Sequence, residues 1–137
     1  MNLLKERLPV FAAALWWGSL TAIGFVAVPL LFANLPSASM AGFMAARLFT
    51  AQTWISLGCG LFLLYAVRLE GWVLAGTILA LLVEFAVAPR IVAKQDLALW
   101  HSVGTVMYAV QWICAAAVLG KLSRRASSPT AASASPS

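Results

Sequence analysis

Charge is scarce in this chain of 137 residues: Asp, Glu, Lys and Arg together make up 9% of it, and histidine occurs once. Soluble domains carry roughly 25% charged residues. A chain with 63% hydrophobic residues has too little polar surface to cover a water-exposed fold. The composition therefore excludes a soluble globular domain, and the length limits the chain to one domain.

Residues with recognisable chemistry are also few. Cys59 and Cys114 lie inside apolar runs without a CxxC or Cys/His pairing, which is typical of small buried hydrophobic residues. The sequence contains no HExxH, Walker loop, nucleophile elbow or paired carboxylates, so it gives no support for an enzyme of known hydrolytic or phosphoryl-transfer mechanism. Its net charge of +5 comes from residues at the ends of apolar runs, so we expect no nucleic-acid partner.

Long apolar runs dominate what remains. A hydrocarbon core of about 30 Å requires roughly 20 apolar residues for each helical crossing. We predict an all-α integral membrane four-helix bundle in residues 1–122, with spans at about 8–32, 51–67, 72–90 and 99–119. The mildly amphipathic stretch at 40–49 should lie at the interface and continue into the second span. Residues 123–137 are rich in Ser, Ala and Pro, which predicts a disordered tail.

The first run could instead be a secretory signal peptide, with a small-residue cleavage site near Ser37. Because such hydrophobic regions are usually about 7–15 residues long, we expect a retained helix. Ser37 or Ser39 is positioned to cap the helix that follows.

Positive residues next to the spans indicate the orientation. One side holds Lys5, Arg7, Arg68, Lys121, Arg124 and Arg125. The other side holds Arg47, Arg90 and Lys94. We therefore expect both termini in the cytoplasm and a multi-pass protein of the cell membrane, which is the inner membrane in a Gram-negative host.

Polar side chains recur on single faces of the predicted helices. The second span carries Gln52, Ser56 and Gly60 at four-residue spacing, and the third repeats this with Gly76, Ala80, Glu84 and Ala88. The fourth carries the stripe His101, Thr105, Tyr108 and Gln111. We predict a polar intramembrane cluster in the outer half of the bundle, formed by Arg47, Gln52, Glu84, Arg90, His101 and Gln111.

Glu84 is open to two interpretations. An intramembrane carboxylate costs at least about 2.5 kcal/mol unless it is paired or protonated, which points to a proton, ion or ligand site. Alternatively, Glu84 pairs with Arg47, Arg90 or His101 and only fixes the helix register. His101 is in turn either a functional residue or an interfacial histidine, and we take the tryptophans as interfacial anchors and packing residues.

We predict no cofactor, with copper or haem as the alternative. Met40, Met44 and His101 are ligands that suit Cu(I), although methionines at helical spacing are typically packing residues. A single histidine rules out a two-histidine haem site within one chain.

Several short segments carry a family resemblance: residues 15–18, 24–32, 35–36, 41–42, 47–49, 88–90 and 101–102. They resemble a bacterial domain-of-unknown-function family of small four-helix membrane proteins similar to transmembrane protein 205. The resemblance covers about residues 8–119. It implies a four-helix membrane domain and no established catalytic residues.

We therefore expect a non-enzymatic membrane protein that binds or moves a small solute or proton, or supports a membrane complex. The alternative is a copper- or haem-binding membrane subunit. The lipid bilayer is the expected surrounding, and the small-residue faces leave room for a homo-oligomer or another membrane-protein partner.

Overall fold

The computed structural model describes residues 2–67 and 70–127. Within them, four helices are long and apolar enough to cross a membrane, and we label them α1 (Arg7–Asn34), α2 (Ala38–Val67), α3 (Gly71–Val92) and α4 (Leu97–Ser127). The helix that contains α1 begins at Asn2. The described residues contain no β-strand. The prediction of an all-α bundle with four membrane-spanning helices is confirmed.

The helix ends differ in detail from the predicted spans. α2 is one continuous helix from Ala38, and Ser37 caps it by accepting a hydrogen bond from the Met40 N–H at 3.2 Å. α4 continues to Ser127, through the first residues of the segment predicted as a tail. Lys121 and Arg125 near its end form ion pairs with Glu70, which stabilise this extension. Residues 128–137 lie outside the described part of the chain.

Both α1 and α3 contain a π-helical turn shortly before a proline. The turns are Ala22–Ala27 before Pro29 and Val83–Val87 before Pro89. Proline has no N–H, and its ring clashes with the carbonyl four residues earlier. The helix widens just before each proline: in α3 the Ala88 N–H donates to the Val83 carbonyl, five residues back.

The four helices pack around a central side chain. α1 contacts α2 and α4, and α3 contacts the same two helices, so α1 and α3 occupy opposite corners of the bundle. Trp16 of α1 is fully buried, and its indole ring lies against Gly76 of α3. A Cβ atom at Gly76 of α3 would lie 2.7 Å from Trp16 Cη2, so only glycine leaves room for the indole. Trp16 is therefore a packing residue and not an interfacial anchor.

The outer surface of the bundle is apolar on every helix. Large hydrophobic side chains are exposed on all four, for example Phe11, Trp54, Phe85 and Val106. A water-soluble protein rarely exposes such a continuous apolar surface, whereas helices in lipid must do so. Burial thus agrees with composition in defining a transmembrane bundle.

The two helical hairpins α1–α2 and α3–α4 share a common pattern. Residues 25–29 read FVAVP and residues 85–89 read FAVAP, and each segment includes the end of a π-helical turn. The second helix of each hairpin then carries a buried glutamine, Gln52 or Gln111. The similarity is not apparent from the sequence until the π-helical turns are located.

Candidate functional site

A group of polar side chains lies inside the bundle, and we call Ser19, Gln52, Ser56 and Gln111 the central cluster. Gln52 Nε2 donates to Ser19 Oγ and to Ser56 Oγ, each at 3.1 Å. Gln111 Nε2 donates to the same Ser56 Oγ at 2.9 Å. Gln52, Ser56 and Gln111 are at most 3% exposed. The cluster therefore links α1, α2 and α4 through interhelical hydrogen bonds.

Three buried side-chain atoms have no hydrogen-bond partner among the described residues: Gln52 Oε1 in the central cluster, and Trp16 Nε1 and Trp17 Nε1 of α1. Interhelical hydrogen bonds in membranes contribute roughly 0.6–2 kcal/mol each. The central cluster can therefore fix the register of three helices. Since both amide nitrogens donate to Ser56, the amide donors of the central cluster have their partners within the protein.

Aromatic side chains form a second contact between α1 and α4. Tyr108 donates its hydroxyl hydrogen to the Leu20 carbonyl, and Trp112 Nε1 donates to Thr21 Oγ1, both at 2.8 Å. Gly24 gives Tyr108 the space for its ring, because a Cβ there would lie 2.5 Å from Tyr108 Cε1. The predicted polar stripe of α4 is thus buried only toward its Gln111 end, and its outer residues are exposed.

Glu84 lies in the π-helical turn of α3 and is partly buried. Thr50 of α2 donates its hydroxyl hydrogen to Glu84 Oε1 at 2.9 Å. Among the described residues, no ion pair joins Glu84 to Arg47, Arg90 or His101. The carboxyl group therefore has a neutral hydroxyl partner inside the membrane-spanning part of the protein.

The two arginines of the predicted cluster interact elsewhere. The Arg47 guanidinium lies 5.6 Å from the centre of the Phe43 ring. The Arg90 guanidinium lies 4.3 Å from the Trp100 ring, and its Nη1 donates to the Ala86 carbonyl at 2.9 Å. Long cationic side chains reach toward the polar interface and stack on aromatic rings. Both arginines are exposed.

Only part of the predicted six-residue cluster is therefore connected. Gln52 and Gln111 meet through Ser56, which the prediction placed on the same face of α2. Glu84 forms a separate site with Thr50, which the prediction did not include. His101 is exposed, and its backbone carbonyl accepts the Thr105 hydroxyl at 2.8 Å. Among the described residues, Arg47, Arg90 and His101 make no hydrogen bond to the central cluster.

A charged site that the sequence did not reveal lies at the other end of the bundle. Glu70, just before α3, accepts Lys121 Nζ at 3.2 Å and Arg125 Nη2 at 3.0 Å. The hydrogen bond and positive charge of Lys121, supported by Arg125, lower the pKa of Glu70 below its usual value. This site ties the end of α4 to the start of α3.

Side chains that commonly bind metals do not lie close together in the part of the chain that the structure describes. Within it, no group of three or more His, Cys, Asp and Glu side chains could hold a metal ion. Met40 and Met44 are 50% and 41% exposed in the first turns of α2, and His101 is exposed in the first turns of α4. Cys59 and Cys114 are free thiols in the buried core. The copper hypothesis stays a prediction.

The fold and these sites together define a helical transmembrane bundle of four spans. The chain belongs to a family described as a domain of unknown function, DUF4149, which matches residues 11–99. Comparison with curated proteins and with solved structures gave no match. The matched region contains α1 from Phe11 onward, all of α2 and α3, and the first residues of α4, and so includes both π-helical turns and Glu84. The predicted membership of a family of unknown function is confirmed, and the likeness to transmembrane protein 205 stays a prediction.

Proposed function

We propose that this protein is a multi-pass protein of the cell membrane, with both termini in the cytoplasm, that binds a proton at Glu84. The single observation that carries the proposal is the environment of the Glu84 carboxyl group. It lies within a membrane span and accepts a hydrogen bond from Thr50, yet it has no cationic partner among the described residues.

The depth of Glu84 follows from helix geometry. At 1.5 Å per residue, it lies about 20 Å from the start of α3 at Gly71 and about 12 Å from its end at Val92. A helix of this length matches a hydrocarbon core of about 30 Å, which supports a position of the carboxyl group within it. An ionised carboxylate at this depth costs at least about 2.5 kcal/mol when no cation neutralises it. Binding a proton removes this cost.

The structural interpretation of Glu84 requires a different arrangement. In the form that the sequence predicts, the structural interpretation pairs Glu84 with Arg47, Arg90 or His101 and so fixes the helix register. The two arginines instead stack on Phe43 and Trp100. The location of Glu84 in a π-helical turn further supports a functional role, since such turns occur frequently at functional sites.

Infrared spectroscopy of the protein in lipid nanodiscs tests the proposal directly. A protonated carboxylic acid has a carbonyl stretching band that is separate from the bands of a carboxylate. We expect this band at neutral pH in the wild-type protein, a shift in D₂O, and its loss in the Glu84→Gln variant. The Glu70→Gln variant is the matched control and should keep the band, because Glu70 is an ion-paired carboxylate. A wild-type protein without the band would refute proton binding at Glu84.

The proposed orientation has a separate test. Since the four spans alternate in direction, a reporter between α2 and α3 should lie in the cytoplasm and one between α3 and α4 outside it. The positive residues near the two chain ends support this assignment. Two reporters on the same side of the membrane would contradict the four-span arrangement, and exchanged sides would contradict the orientation.

A further inference from the structure

The Glu84 site lies between α2 and α3, where their contact reaches the surface of the bundle. Thr50, which donates to the carboxyl group, is itself exposed on the bundle surface. Trp54 follows Thr50 by one helical turn and is 65% exposed, and Phe85 next to Glu84 is 66% exposed. The helix positions next to the Thr50–Glu84 hydrogen bond therefore carry large exposed aromatic side chains.

The side of the site that faces the bundle interior is closed. Thr53 on α2 follows Thr50 by three residues, Ala80 on α3 precedes Glu84 by four, and the two are 5% and 1% exposed. Gln52, next to Thr53 in the sequence, belongs to the central cluster, whose amide groups donate to Ser19 and Ser56. An access route to Glu84 through the bundle would have to displace these packed side chains, whereas the lipid side requires no such rearrangement.

We propose that Glu84 forms a lateral binding site that takes a hydrophobic amine from the lipid phase, an inference that rests on the proposed proton binding. A neutral amine dissolves in hydrocarbon and can approach a neutral carboxylic acid without the cost of burying a net charge. The nitrogen lone pair takes the carboxyl proton: the O–H bond breaks, an N–H bond forms, and the electron pair stays on the carboxylate. The total charge of the site does not change.

The resulting ammonium–carboxylate pair suits the residues around it. Opposite charges in contact attract strongly where water is excluded, and Thr50 continues to donate to the carboxylate. The exposed rings of Trp54 and Phe85 offer an aromatic surface to the ammonium group and to its apolar substituents. Arg47 of α2 would repel a cation, but its guanidinium lies over Phe43, further toward the outer end of the helix.

The other charged or titratable groups near the outer end are similarly occupied or exposed. Arg90 of α3 stacks on Trp100, and His101 of α4 is exposed at the beginning of its helix. No ion pair joins either residue to Glu84 among the described residues. Glu84 is thus available to a cationic ligand that arrives from the bilayer.

Carbodiimide labelling in nanodiscs tests this inference. Dicyclohexylcarbodiimide partitions into lipid, and the O–H of a protonated carboxylic acid adds across its C=N bond without a leaving group. We expect one adduct by mass spectrometry, located at Glu84 and absent in the Glu84→Gln variant. A water-soluble carbodiimide should give little labelling at this residue.

Protection by an amine then tests the ligand class. Dodecyldimethylamine should slow labelling of Glu84 by tenfold or more, whereas dodecanol, with the same chain, should not. The Trp54→Leu variant should keep the labelling but lose several-fold in protection. Labelling without amine protection would overturn the amine site and leave proton binding intact. Labelling by the water-soluble reagent alone would overturn access from lipid, and an absence of both labelling and the infrared band would refute the proposed function itself.

Discussion

The close contact between Gly76 and Trp16 allows a quantitative test of the packing. A methyl group at Gly76 would lie 2.7 Å from Trp16 Cη2, 2.8 Å from Trp16 Cζ2 and 3.2 Å from Cys114 Cβ. Trp16 is fully buried and Cys114 is 2% exposed, so neither can move aside easily. Overpacking of this kind typically costs about 1–3 kcal/mol. We therefore expect Gly76→Ala to destabilise the bundle.

The same substitution at Gly58 is a matched control. Gly58 also lies inside a membrane-spanning helix, and a Cβ atom there would meet nothing within 4 Å. Both variants gain the helix propensity of alanine over glycine, up to about 1 kcal/mol. The difference between their free energies of unfolding therefore isolates the overpacking cost, which we expect to be about 1–3 kcal/mol.

Equilibrium unfolding in mixed micelles, with rising SDS and detection by circular dichroism, measures this difference. The Gly76→Ala variant should unfold at clearly lower SDS than the wild type, and Gly58→Ala at equal or higher SDS. Equal stability of the two variants would refute the placement of Trp16 between α1 and α3.

Three further predictions concern the polar contacts. Ser56→Ala should cost about 1–3 kcal/mol in the same unfolding assay, because Gln111 Nε2 loses its acceptor and Gln52 Nε2 keeps only Ser19. Gln52→Leu should cost less, since it also removes an unpaired carbonyl oxygen, and equal losses would contradict this cluster geometry. Because the pKa of Glu70 is lowered in the folded protein, its ionised form adds stability at neutral pH that disappears as the pH falls below about 4.5. The wild type should therefore lose more stability on acidification, measured by thermal melting, than Glu70→Gln, and identical pH profiles would show that the ion pairs do not form. Trp112→Phe keeps an aromatic ring but loses the hydrogen bond to Thr21, and should cost about 0.5–1.5 kcal/mol by SDS unfolding; an unchanged stability would argue against that bond.

The features of the fold that depend only on residues close together in the sequence could be predicted from it. Apolar runs of sufficient length predict the four helices, because backbone groups in lipid must be hydrogen-bonded within the same segment. Ser37 was one of two candidate caps, and the structure assigns it this role. The four-residue spacing of Gln52, Ser56 and Gly60 predicted a common face, and all three are buried.

The interaction partners of single side chains on other helices could not be predicted from the sequence. Glu84 and Arg90 lie on one helix at a spacing that allows several pairings, and the sequence alone favours none of them. Arg90 stacks on Trp100 because α4 brings that ring beside it, and Glu84 meets Thr50 because α2 lies on its other side. Likewise, the sequence predicted anchoring and packing roles for the tryptophans without distinguishing them, because the central position of Trp16 depends on the absence of a side chain at Gly76.

The sequence by itself determined that the chain enters a membrane as four helices. Hydropathy and segment length are local properties, and an apolar segment in lipid must form a helix to hydrogen-bond its own backbone. Only the tertiary structure decided which polar groups meet. It divided the predicted cluster into a central hydrogen-bonded group around Ser56 and a separate carboxyl group, Glu84, that is hydrogen-bonded to Thr50. The physical reason is that contacts between helices depend on the rotation and relative height of each helix, and these are set by packing between segments that are far apart in the sequence.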